Sequence, residues 1–246
     1  MSNLFCLAAQ NDVMPFIINM IIAIVPSILL CYYVYKKDVI EKEPIKLLFK
    51  LFLMGVVITL PASFVEKTIM SSFDLNTGNV VDCLIISFII VALIEEGYKF
   101  VVTYFSTWKN KNFDHIYDGI VYATFVSIGF ASLENILYVL DSGTETAILR
   151  AIISVPAHAF YAVTCGYYLG LSKFSYSIGN KKMGLIYKIL SFITPVLMHG
   201  IFDFLLLTNN SGLTWVFFVF VAVMYIVSFF NIKRFSAAEM TSNMQR

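Results

Sequence analysis

An all-α polytopic membrane protein of about seven transmembrane helices, N-terminus outside and C-terminus cytoplasmic, is the fold this sequence predicts. Composition is the first reason. Of 246 residues 59% are hydrophobic and 13% charged, where a soluble domain carries about 25% charged residues. The second is that apolar stretches of about 20 residues, enough to cross a bilayer as a helix, recur along the chain with short loops between them. The third is that these stretches lack a two-residue alternation and are too long for core strands. Spans and loops use up the length, so residues 1–235 read as one integral membrane domain and 236–246 as a short cytoplasmic tail. A net charge of +1 argues against nucleic acid, which needs a basic stripe. The 23 Phe and 14 Tyr suit lipid-facing and interfacial positions.

The first span covers roughly 14–35, and without the basic region of a cleaved signal peptide before it, it reads as retained. The second covers roughly 46–66 and the third roughly 80–106, which is the least clean because Glu95, Glu96 and Lys99 interrupt it. The fourth covers roughly 116–140, with Asp118 before Gly119 as a plausible helix start; it and His115 are expected to cap at the cytoplasmic interface. The fifth and sixth, roughly 148–171 and 184–207, contain Pro156 and Pro195, each able to kink its helix and open a wet cavity. The seventh covers roughly 213–232. Small residues spaced by four (Gly119, Ala123, Ser127, Ala131; then Ala162, Gly166, Gly170) predict close packing of the fourth and fifth spans. The cysteines at 6, 31, 83 and 165 form no CxxC pair and read as small packing residues. A Cys6–Cys83 disulfide is conceivable, because both fall on the outer side.

Basic residues set the orientation. The first, third and fifth loops and the C-terminus hold twelve Lys and Arg, against Lys67 and Arg150 on the opposite side. The richer side is cytoplasmic by the positive-inside rule. Lys50 and Lys188 lie just inside spans near that face and can snorkel, which leaves Lys99 as the one cation deep in a span. No internal repeat of the kind that builds many transporters is visible.

Five charged residues, Glu95, Glu96, Lys99, Glu134 and Asp203, fall within these spans, with His158 and His199 at similar depth. At roughly 2.5–3.5 kcal/mol per charge, five unpaired groups would cost on the order of 10–15 kcal/mol, comparable to a domain's whole stability. They must therefore pair. A helical rise of about 1.5 Å per residue places them in one layer at or slightly outside the midplane. Glu95 and Lys99 are spaced i,i+4, and Glu96 points about 100° away, so Lys99 can hold one carboxylate while the other turns to a neighbouring helix. His199 and Asp203 are also i,i+4, so Asp203 can orient the imidazole.

Such a layer could be a structural ion-pair network, an ion or proton pathway, or a hydrolytic site. Hydrolysis is favoured, because two Glu and two His at one depth supply a base, an acid and polarising groups. In this reading Glu95 activates a water, Glu134 positions it or shares its proton, and His199 stabilises the oxyanion. His158 protonates the leaving amine, and Lys99 keeps the glutamate pair partly ionised. Glu96 can exchange roles with Glu95. Hydrolysis without a metal is preferred, but zinc is possible, with His158, His199, Glu95 and Glu134 as candidate ligands. There is no HExxH, and neither a Ser/His/Asp arrangement nor a pair of transmembrane aspartates is evident.

Glu95-Glu96-Gly97-Tyr98-Lys99 fits EExxK, Phe130 to Glu134 fits FxxxE, and His199 to Asp203 fits HxxxD. In this order, with a His-bearing span between the second and third motifs, the chain resembles the PrsW family of bacterial intramembrane proteases over roughly spans one to six. That family is related to the CAAX prenyl endopeptidases of the CPBP or Abi group, from which this sequence departs at Lys99 and Glu134. The resemblance implies a multi-pass protein of the bacterial cell membrane. It implies site-1 cleavage of a membrane-anchored anti-sigma factor on its extracytoplasmic side. A site-2 protease would then complete release of an extracytoplasmic-function sigma factor. The alternatives are a CAAX-type prenyl-protein endopeptidase, a non-enzymatic scaffold or immunity protein, and an ion or proton-coupled transporter.

Overall fold

A computed structural model describes residues 13–208 and 211–243. Cys6, and with it the conceivable Cys6–Cys83 bridge, lies outside the described residues; Cys31, Cys83 and Cys165 are buried, as packing residues should be. Among the described residues every regular element is helical. In chain order these are α1 (Val13–Lys37), α2 (Ile45–Ser72), α3 (Val80–Leu84), a π-helical segment (Ile85–Ala92) and α4 (Leu93–Thr107). There follow α5 (Ile116–Ile152), α6 (Ser154–Ser177), α7 (Lys181–Leu207) and α8 (Ser211–Asn243). The last helix runs through most of the stretch read as a tail.

Among the described residues six helical stretches are long and apolar enough to cross a membrane: 17–37, 45–72, 116–141, 144–177, 181–207 and 212–233. Large apolar side chains such as Phe64, Phe105 and Trp215, each more than 70% exposed, face outward as lipid-facing groups do. The predicted third span is helical throughout, but its π-helical segment divides it and three charges follow. It therefore falls outside this set of six. Widened i→i+5 turns often mark functional sites, and this one directly precedes the turn bearing Glu95 and Glu96.

Local chemistry explains the ends. Asp118 accepts from the backbone N–H of His115 at 2.7 Å and of Asp114 at 3.0 Å, and forms a capping box with His115 at the start of α5. Asp118 caps as predicted, and it does so buried within the fold. The Asn180 side chain accepts from Met183 N–H at the start of α7, and Gly179 before it takes φ 81°, a left-handed turn that suits glycine.

Helical bonding is continuous from Ile116 to Ile152, yet α5 is not straight. Arg150 meets Glu134 at 2.7 Å, whereas a straight helix would separate these positions by about 24 Å. The helix therefore doubles back between them, where the sequence predicts the fourth loop. Beyond it Pro156 lacks the N–H that would reach Ile152 four residues earlier, and the chain breaks at Ile153 between α5 and α6. The hydroxyl of Tyr225 on α8 donates to the carbonyls of both Ile152 and Ile153, supplying the missing partner.

The returning limb packs tightly on the outgoing one. A Cβ on Gly119 would stand 2.3 Å from the Gly166 carbonyl oxygen, and one on Gly166 would stand 2.2 Å from that of Gly119. The predicted small-residue ridge is thus a backbone contact. A second contact joins α2 to α5, where Gly55 meets Val126 and Gly129 meets Phe52 at 2.0 and 2.1 Å by the same measure. On the end of α5 opposite the turn, Tyr122 donates its hydroxyl to Glu43 of the α1–α2 loop. Burial, with Asp38 nearby, raises the Glu43 carboxyl to about 7. Lys188 does not simply snorkel: it donates to Tyr104 Oη at 3.0 Å and lies over the rings of Tyr104, Trp108 and Tyr176.

Candidate active site

The π-helical segment and α4 place Glu95 and Glu96 one turn before Lys99, facing α5, α6 and α7. Glu95, Glu96, Lys99, His158 and His199 are each at most 4% exposed. Lys99 Nζ lies 2.9 Å from Glu95 Oε2, 2.9 Å from Glu96 Oε1 and 3.0 Å from His158 Nδ1. The sequence expectation that Lys99 would hold one carboxylate and free the other is therefore corrected. The four-carbon stem is long enough for its ammonium to bridge both, using three donors on three partners. Phe130 of α5 supports it, with its ring centroid 4.3 Å from Nζ.

Glu96 Oε1 also meets His199 Nδ1 at 3.0 Å, and Glu95 Oε2 lies 4.0 Å from the same nitrogen. His199 Nε2 is 3.3 Å from Asp203 Oδ2, so Asp203 orients the ring as the i,i+4 spacing predicts. Tyr161 stacks on that ring with centroids 4.9 Å apart. Across the cluster, His158 Nε2 is 3.0 Å from Glu134 Oε2. A charged Lys99 can only donate, so the His158 Nδ1 lone pair faces it and the ring proton sits on Nε2, toward Glu134.

All eight residues singled out from the sequence thus meet in one cluster, buried except for partly exposed Glu134 and Asp203. Two residues were missed. Arg150, counted as an outer-loop cation, pairs with Glu134 Oε1 at 2.7 Å. Tyr161, three residues after His158, is one of 14 tyrosines and carries no sequence signal of its own. Arg150 carried one, as one of two cations on a side otherwise without them.

The donor set fits a metal ion. Glu95, Glu96 and His199 offer ligand atoms within 4.8 Å of one another, and so do Glu95, Glu134 and His158. The four ligands proposed from sequence therefore do not form one set: they divide into two trios sharing Glu95, and Glu96 joins one of them. In the first trio, Asp203 behind His199 follows the carboxylate–histidine–metal pattern. In the second, Glu134 turns Oε2 toward His158 Nε2, 3.0 Å away. Among the described residues Glu95, Glu96, Glu134 and Asp203, with Glu66 of α2 close enough to feel their charge, face two permanent cations, Lys99 and Arg150, so protons or a bound cation would balance the remainder.

Comparison with known proteins agrees with this chemistry. The family model described as PrsW family intramembrane metalloprotease matches residues 43–230. Protease PrsW of Oceanobacillus iheyensis is 37% identical over 211 residues, covering 86% of this chain and 93% of that protein. Protease PrsW of Geobacillus kaustophilus is 39% identical over 187 residues, covering 76% and 79%. Protease PrsW of Bacillus subtilis is 33% identical over 222 residues, covering 90% and 96%. No solved structure matches the chain. The word metalloprotease weighs against the metal-free preference drawn from the sequence and agrees with the two ligand trios. With most of its length matched, and its acids and imidazoles gathered among apolar helices, the chain belongs to the PrsW family of intramembrane metalloproteases, multi-pass proteins of the bacterial membrane that hydrolyse peptide bonds.

Proposed function

We propose that this protein is a site-1 protease that cuts a membrane-anchored anti-sigma factor on its extracytoplasmic side. A site-2 protease would act on the product, and an extracytoplasmic-function sigma factor would be released. The observation that carries the catalytic part is the convergence of Glu95, Glu96, Glu134, His158 and His199, from four helices, around Lys99. The sidedness rests on charge. Counting residues 80–107 as a seventh span puts twelve basic residues in the cytoplasm, the N-terminus outside, and the cluster at or slightly outside the midplane.

A divalent metal held by Glu95, Glu96 and His199, or by Glu95, Glu134 and His158, would polarise the peptide carbonyl and lower the pKa of a bound water. Zinc suits such a His and carboxylate donor set. The chain's own residues do the rest. Glu95 takes the proton of the attacking water, and Glu134, whose Oε2 faces His158 Nε2, orients that water. His158 delivers its Nε2 proton to the leaving amine as Lys99 passes one to Nδ1, and Lys99 recovers it from Glu95, which holds the proton taken from the water. His199, fixed through Nε2 by Asp203, directs Nδ1 toward the glutamate pair, where it would hold the metal or, with the metal on the other trio, stabilise the developing oxyanion. Lys99 keeps Glu95 and Glu96 in place between the two histidines. The low polarity around the cluster strengthens each of these interactions.

The test is reconstitution of the full chain in liposomes with a membrane-anchored anti-sigma factor and mapping of the product by mass spectrometry. A single cut at the extracytoplasmic end of the substrate's span supports the proposal. A cut confined to the cytoplasmic side, or ion flux with no peptide product, overturns it.

A further inference from the structure

On the proteolytic reading above, we infer that Arg150 is a positioning residue of the active site, holding Glu134 so that Oε2 is presented to His158. The two carboxylate oxygens of Glu134 have different neighbours. Oε1 lies 2.7 Å from Arg150 Nη2, and Oε2 lies 3.0 Å from His158 Nε2. One face of the carboxylate therefore grips the frame while the other faces the reacting groups.

Arg150 is itself fixed from three directions. Its Nε donates to Asn135 Oδ1 at 2.8 Å, and its guanidinium carbon lies 3.9 Å from the Tyr138 ring centroid. Asn135 is fully buried and donates from Nδ2 to the Ala23 carbonyl of α1 at 3.4 Å. Glu134, Asn135 and Tyr138 lie within five residues of one limb of α5, and Arg150 reaches them from the other limb. A planar fork that pairs with a carboxylate, bonds an amide and stacks on a ring at once is work for arginine; a lysine ammonium offers one point charge without the stacking plane. Arg150 itself meets neither the attacking water nor the substrate; its effect passes through Glu134, which orients the water. Losing an outer-shell partner of this kind typically lowers activity by about 10- to 100-fold.

The experiment has two arms on the full chain in liposomes. The first measures Tm for Arg150→Gln, Glu134→Gln and the double variant, and needs no substrate. Coupling between the two positions is expected; strictly additive shifts would show that the pair is not formed and overturn the inference. The second follows cleavage of whichever anti-sigma factor the wild type cuts. Arg150→Gln should lower kcat by about 10- to 100-fold with KM nearly unchanged. Added guanidinium should restore part of the loss, and Arg150→Lys should lie between. Unchanged kcat in Arg150→Gln, or a loss that follows Tm and does not respond to guanidinium, overturns the inference. A wild type that cuts nothing removes instead the proteolytic reading on which the inference rests.

Discussion

Replacing Lys99 with methionine keeps an unbranched side chain, one atom shorter, and removes its charge. Three polar contacts are lost, at 2.9, 2.9 and 3.0 Å, together with the ammonium over the Phe130 ring. Glu95 and Glu96 are left facing each other, each 4% exposed, with no cation between them. Removing one partner of a buried ion pair costs about 3–5 kcal/mol, because the charge left behind is uncompensated. At about 2–4 °C per kcal/mol for a chain of this size, Tm should fall by roughly 6–20 °C. The reasoning also predicts which second substitution helps. Adding Glu95→Gln to Lys99→Met removes one stranded carboxylate and should recover part of the loss, although Glu95→Gln alone destabilises. The assay is thermal unfolding of purified protein in one detergent, followed by loss of the monodisperse peak. A Lys99→Met protein with wild-type Tm, or a double variant less stable than Lys99→Met, would refute the claim that this lysine neutralises the glutamate pair.

Gly166→Val places a Cβ where the Gly119 carbonyl oxygen stands 2.2 Å away, so the limbs of α5 and α6 must separate; a loss of about 1–3 kcal/mol or more is expected in the same assay. His199→Ala should abolish cleavage while the protein stays in the membrane, and Asp203→Asn should reduce it less, as initial rates on a reconstituted substrate will show. For pH, the Glu43 carboxyl is raised from 4.5 to about 7 in the fold by burial, so the folded state holds a proton that the unfolded state has released. Its contribution is complete below about pH 4.5 and is lost as pH rises through about 7. The wild type should therefore lose Tm between pH 5 and 7 relative to Glu43→Gln, and parallel profiles would exclude the effect.

The parts of this fold legible in the sequence are those that break an apolar background. Glu95, Glu96, Lys99, Glu134, His158, His199 and Asp203 stand out because lipid-immersed charge has to find a partner, and the structure brings all of them together. Spacing also gave the His199–Asp203 pair and the Gly119–Gly166 ridge. Other features leave no such trace. The π-helical segment falls in Ile85–Ala92, apolar on every side, so no periodicity reports its extra width. Gly55 meets Val126 and Gly129 meets Phe52 across two helices without either glycine belonging to a ridge. Lys99 was expected to serve one carboxylate because spacing fixes where side chains start, not where a flexible four-carbon stem ends. Arg150 was placed by its side of the membrane, and charge counting says nothing about a partner 16 residues back along a helix that reverses. Each of these depends on how helices fold onto one another, which local sequence does not encode.

The central claim is that Glu95 and its neighbours hydrolyse a peptide bond inside the membrane. Its most direct measurement is cleavage in H2(18)O by the wild type and by Glu95→Gln, both in liposomes and matched for folded protein. The wild type should release a fragment carrying heavy oxygen at its new carboxyl terminus, and Glu95→Gln should release none. Product from Glu95→Gln at the wild-type rate would contradict the account.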